Sequence, residues 1–117
     1  MELVQLEIVE RGDIVVAQVA GELDIAGASS TGESIEDAVS SSASALVVDM
    51  SRLEFIDSSG IAMLFGLARR LGGRRQDLRV VAPAGEPVQR VLELVEFDRA
   101  APVDERLEDA LAALSAG

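Results

Sequence analysis

The stretch Val47–Leu71, VVDMSRLEFIDSSGIAMLFGLARRL, organises the whole chain. It opens as a strand: Leu46, Val47 and Val48 form a short apolar run of the kind a sheet buries on both faces. Asp49–Glu54 read as a polar turn, after which Phe55 and Ile56 return to the interior. Asp57-Ser58-Ser59-Gly60 follows. Ile61, Leu64, Ala68 and Leu71 then recur at helical spacing, which predicts a helix with one apolar face. A serine just before such a run caps it, because its oxygen accepts from a free N–H of the first turn. Two hydroxyls and a carboxylate therefore lie at the positive end of a helix, in a loop that should reach the surface. That arrangement suits phosphorylation. A phosphoserine carries roughly −1.5 to −2 charges near neutral pH. The helix dipole and free N–H groups stabilise an anion there by about 0.3–1 kcal/mol. The same residues also read as a serine cap with a spare neighbour.

Upstream, Leu3–Glu10 alternate, with Val4, Leu6 and Ile8 on one side, so this segment reads as a half-exposed strand. Arg11-Gly12-Asp13 is a tight turn; as a hairpin turn it outweighs its resemblance to an integrin ligand. Ile14–Val19 complete the hairpin. Gly21-Glu22-Leu23-Asp24 follows, with Asp24 placed to cap the next helix. That helix lies within residues 26–43, with Ala28, Gly32, Ile35 and Val39 on one face. Its start is weak, because Ala-Gly-Ala-Ser-Ser-Thr-Gly is a poor helix former. Ser40–Ser44 read as a loop.

Downstream, Gly72-Gly73 end the central helix, Arg74–Asp77 turn, and Leu78–Ala82 form the fourth strand. Arg69, Arg70, Arg74, Arg75 and Arg79 make a basic cluster, read as a solvated face and turn, with a docking patch for an acidic surface as the lesser alternative. Val88, Val91, Leu92 and Val95 predict a third helix ending near Glu96. Ala100–Val103 could be a short last strand. Asp104 then caps a final helix carrying Leu107, Ala110, Leu111 and Leu114 on one face. The order is β-β-α-β-α-β-α-(β)-α. It predicts an α/β single domain over residues 1–117, with a mixed four- to five-stranded sheet and about four helices.

Composition excludes several classes. The formal net charge of −11 argues against nucleic acid as a partner and disfavours anionic lipid surfaces. No apolar run approaches the ~20 residues needed to span a bilayer, and MELVQLEIVE lacks the basic and apolar blocks of a signal peptide, so no direct membrane insertion is expected. The chain has no cysteine and no histidine. A Ser-His-Asp triad, a Cys-His pair and an ordinary zinc site are therefore excluded. No cofactor, metal site or catalytic residue is expected, and the absence of cysteine fits the cytoplasm. The basic residues are all arginine.

DMSRLEFIDSSGIAML resembles the signature of the STAS domain family, in particular the bacterial anti-sigma factor antagonists. GELD, at Gly21–Asp24, is a second point of similarity. The resemblance covers nearly the whole chain and departs from the family in two places: the weak start of the helix after Asp24, and Val95-Glu96 where a small Ser/Thr-Gly pair is usual. It implies a STAS-type fold and a monomer that is not an enzyme. It implies phosphorylation at Ser58, the first serine after the aspartate, with Ser59 as a possible second site. It implies a partner-facing surface containing Asp24, Asp57, Ser58, Ser59, Gly60, Ile61, Ala62 and Phe65. Met63 and Phe65 read equally as docking face or core, and Gly60 as room for an approaching kinase. The implied partners are an anti-sigma factor with a histidine-kinase-like ATPase fold, acting as a serine kinase, and a serine phosphatase. The implied role is transcription regulation in stress response or sporulation. A non-switching STAS subunit of a lipid-transport ABC system, or a stress-signalling scaffold, shares the fold.

Overall fold

Gly12, at φ +64°, turns the chain between two strands that pair antiparallel, β1 (Val4–Arg11) and β2 (Ile14–Leu23). Every later strand runs parallel to β2 and so needs a helical crossover. The order is β1, β2, α1 (Ala28–Ala38), β3 (Ala45–Ile56), α2 (Ser58–Gly73), β4 (Asp77–Val81), α3 (Pro87–Leu94), a 3₁₀ turn (Phe97–Arg99), β5 (Val103–Asp104) and α4 (Leu107–Ser115). The strands lie side by side in chain order, β1-β2-β3-β4-β5, in one mixed sheet. The structure is a computed structural model and describes residues 3–115. It has the predicted order, five strands and four α-helices. No helix among the described residues is long and apolar enough to cross a membrane.

The larger core lies on one face of the sheet. Val15, Ala17 and Val19 of β2 and Leu46, Val48 and Met50 of β3 meet Ile35 of α1, Leu64, Leu67 and Leu71 of α2, and Val88 and Leu92 of α3. Phe97 is fully buried there. On the other face α4 packs Ala110, Leu107, Leu111 and Leu114 against Val9, Ile14, Val16, Val47 and Val81. β1 thus contributes to both faces: Val4 and Leu6 pack on the first and Val9 on the second, while Ile8 stays exposed.

The expected turn at Asp49–Glu54 is instead continuous strand. β3 carries two irregularities against β2. Gln18 pairs with Asp49 but Ala20 pairs with Arg52, and Gly21 pairs with Leu53 but Glu22 pairs with Phe55. Each inserts one extra residue into β3, as a β-bulge does. The inward positions therefore run 46, 48, 50, 53, 56 and lose strict alternation. Asp49 holds the first irregularity, its Oδ1 accepting from Ser51 N at 3.0 Å. Beyond Asp49, β3 is paired only with β2, because β4 ends opposite it.

Further expectations are corrected as well. Asp104 is no helix cap. It lies in β5, and its carboxylate accepts from Arg79 Nε at 2.8 Å and Nη2 at 3.1 Å. Both side chains are largely buried, so Arg79 leaves the solvated cluster, and the hydrogen bond to Asp104 raises its pKa above the ordinary arginine value. Arg70 and Arg74 reach Glu36 of α1. The Ser40–Ser44 loop is tied down by buried Gln76, whose Nε2 donates to the carbonyls of Ser40 (2.9 Å) and Ala43 (3.0 Å). The last strand is shorter than expected and begins at Val103, and Val95 is exposed just beyond α3.

Candidate functional site

The parallel pairing of β2 and β3 brings Leu23 beside Ile56, so the loops that follow the two strands emerge at the same end of the sheet. Asp57 N donates to Leu23 O at 3.2 Å. The Asp57 carboxylate then joins three segments. Oδ1 accepts from Ser59 N (2.9 Å) and Gly60 N (3.1 Å), and Oδ2 accepts from Ile25 N (3.1 Å). The cap of α2 is therefore Asp57 and not a serine. A carboxylate serves two first-turn donors at once and favours the positive helix end, which a hydroxyl does less strongly.

Ser58 is left as the first residue of α2, exposed, and its hydroxyl has no hydrogen-bond partner among the described residues. The N–H groups expected to receive a phosphate here are already engaged by Asp57. An anion on Ser58 would meet the helix dipole but also a neighbouring carboxylate, and no ion pair neutralises Asp57 among the described residues.

Asp24 lies one residue from the Ile25–Asp57 bond, so GELD and DSSG are brought together. Asp24 does not cap α1, whose N-cap is Gly27. Its Oδ1 accepts from Ala26 N at 3.0 Å and shapes the loop ahead of the helix. The helix begins at Ala28, two residues into the expected range.

The remaining candidate residues divide by burial. Asp24, Asp57 and Ser59 are half-buried; Ala62 is exposed. Gly60 and Ile61 are buried. Gly60 faces inward: a Cβ there would stand 2.6 Å from Ile56 Cγ1 and 3.0 Å from the Leu23 carbonyl oxygen. Packing, and not room for an outside molecule, requires glycine at this position. Met63 is in the core, and half-buried Phe65 makes an edge-to-face contact with Phe97, with ring centroids 5.0 Å apart.

Sequence reading alone missed a groove between α1 and α2. It has a volume of about 570 Å³ and is lined by Ile25, Ala28, Ser29, Gly32, Glu33 and Met63 among others, with Ser59 at one end. Ile25, at its mouth, is 79% exposed. α1 presents the small residues Ala28, Ser29 and Gly32 to it, and Gly32 lets Met63 of α2 pack closely. A Cβ on Gly32 would stand 2.7 Å from Met63 Cγ. The run Ala28-Ser29-Ser30-Thr31-Gly32, poor for a helix, was the available signal.

A mixed sheet flanked by helices, with an Asp-capped Ser-Ser-Gly loop at the start of the second helix, defines the fold class. The family model described as STAS domain matches residues 5–110, and the chain belongs to that family. It is similar to the anti-sigma-F factor antagonist RsfB of Mycobacterium tuberculosis, 26% identical over 115 residues, which cover 97% of this chain and 92% of the relative. The crystal structure of an anti-sigma factor antagonist from Mycobacterium paratuberculosis superposes with a TM-score of 0.84 at 30% identity, covering 94% of this chain and 92% of that one. The phosphorylated form of the Bacillus cell fate determinant SpoIIAA superposes with a TM-score of 0.68 at 25% identity, covering 95% and 98%.

Proposed function

We propose that this chain is an anti-sigma factor antagonist that works by partner switching in the bacterial cytoplasm. Unphosphorylated, it binds an anti-sigma factor that is also a serine kinase of histidine-kinase-like ATPase fold, and so frees a sigma factor. The Ser58 oxygen attacks the γ-phosphorus of ATP, ADP leaves, and the hydroxyl proton is lost. The complex then separates, and a serine phosphatase restores the free hydroxyl. The chain is substrate and ligand in this cycle, not catalyst. The names of the similar proteins support the role, and the phosphorylated SpoIIAA structure supports the switch.

The observation that carries the reading is the free, exposed Ser58 hydroxyl beside a carboxylate that already holds the first-turn donors. A phosphate there adds charge next to Asp57 and near Asp24, on a surface where a partner must be desolvated. A loss of about 3 kcal/mol weakens binding roughly a hundredfold, enough for a switch. Ser59 is half-buried and its N–H is bonded to Asp57, which makes it the lesser site.

The test compares the parent, Ser58→Ala and Ser58→Asp as baits in a lysate of the source organism, with bound proteins identified by mass spectrometry. An ATPase-type anti-sigma factor held by the first two and lost from the third is the expected result. The same partner on all three, in particular a transporter ATPase, would instead make the chain a constitutive STAS subunit.

A further inference from the structure

We infer that the groove between α1 and α2 is a socket for an apolar side chain of the partner, flanked by a basic residue. This rests on the switching role proposed above and assigns the anchor of that complex to residues outside the DSSG loop. The groove opens beside Ser59, so a partner whose active site reaches Ser58 must cover its mouth. Its lining combines small or apolar residues, Ala28, Ser29, Gly32 and Met63, with the charged Glu33, Glu36 and Arg70. Ile25, projecting at the mouth, has no cover in the free protein. An isoleucine this exposed at the rim of a groove gains by burial only when another surface arrives.

Charge fixes the chemistry of the occupant. Two carboxylates, Glu33 and Glu36, and one guanidinium, Arg70, line the groove. Arg70 and Arg74 engage Glu36, at 2.9 and 3.7 Å. Glu33 is exposed and has no ion pair among the described residues. Asp24 and Asp57 lie at the same end. An arriving arginine or lysine is attracted, whereas an acidic segment or a second copy of this strongly acidic chain is repelled. The groove also gives the switch a mechanical partner. Asp57 holds the backbone of Ile25 through its Oδ2, so the phosphorylated loop and the socket mouth share one carboxylate.

The probe is the anti-sigma factor recovered by the unmodified bait, purified and titrated calorimetrically against surface variants. Ile25→Ser should weaken binding about tenfold or more, since burying a large aliphatic side chain contributes at least a decade of affinity. Ile25→Leu should restore most of it. Ser29→Phe, which fills the groove from an exposed position, should weaken binding similarly. Glu33→Lys should cost roughly fivefold at low salt and little at high salt. Thermal midpoints close to the parent's would show that these exposed substitutions leave the fold intact. If the parent binds, Ser58→Asp releases, and all the groove variants bind like the parent, the socket is wrong while the switch stands. If the parent recovers no anti-sigma factor, the switching role fails and the socket's occupant fails with it.

Discussion

Replacing Asp57 by alanine removes acceptors from three backbone N–H groups at once: Ser59 and Gly60 in α2, and Ile25 in the preceding loop. Loss of an N-cap costs about 1 kcal/mol. The long-range bond to Ile25 contributes about 0.5–1.5 kcal/mol, at the lower end because it is exposed. The negative charge at the helix start contributes roughly 0.3–1 kcal/mol. The sum is about 2 kcal/mol, which for a domain of this size lowers the thermal midpoint by roughly 8 °C. Asp57→Asn separates the parts. Its amide oxygen can still accept from Ser59 and Gly60, but its NH₂ cannot accept from Ile25. It should therefore keep most of the cap and lose the link between the loops. Circular dichroism melts give the stability, and amide exchange read by NMR gives the site: Ile25 N–H should exchange faster in both variants, Ser59 and Gly60 markedly only in Asp57→Ala. A fall of less than about 2 °C in Asp57→Ala, with Ile25 exchange unchanged, would show that water replaces these bonds without loss and that Asp57 does not couple the loops.

Other substitutions test separate parts of the account. Gly60→Ala should destabilise by about 1–3 kcal/mol in urea titration despite alanine's better helix propensity, because its methyl group meets Ile56 and the Leu23 carbonyl. Glu96→Gly should stabilise by roughly 0.5–1 kcal/mol in the same assay: Glu96 sits at φ +54°, and the relief outweighs glycine's added chain entropy and the loss of an exposed pair with Arg99. Arg79→Met should cost about 1–3 kcal/mol by stranding the largely buried Asp104 carboxylate, and Asp104→Asn on top of it should recover part of that loss in a double-mutant cycle.

The order of elements was readable because most of them keep a clean period. Ile61, Leu64 and Leu71 follow one helical face and are all buried. The failures have nonlocal causes. β3 looked like a turn between residues 49 and 54 because its two extra residues shift the inward phase, and only the pairing with β2 shows this. Asp104 stands where a cap would, three residues before a helix, but Arg79, distant in sequence, takes its carboxylate. The DSSG and GELD segments were readable as neighbours, yet how they join depended on Ile25 and Asp57 meeting across the two loops. Phe65 could not be assigned to core or surface without Phe97, its partner from the far side of α3. The groove was invisible for the same reason: its walls come from two helices separated by β3.

The two extra residues of β3 act as a reading frame for the loop that follows. The strand turns even positions inward through Met50, turns Leu53 inward after the first extra residue, and after the second delivers Ile56 inward and Asp57 to its three donors. Without the two bulges the same residues would place Leu53 outward and carry Asp57 two positions farther along β2, beyond Leu23. The length between the two aspartates is thus under tighter constraint than the side chains exposed along it. Ser51, Arg52, Glu54 and Phe55 are exposed and can vary in kind, while any residue gained or lost there has to be absorbed by a bulge if Asp57 is to stay beside Leu23.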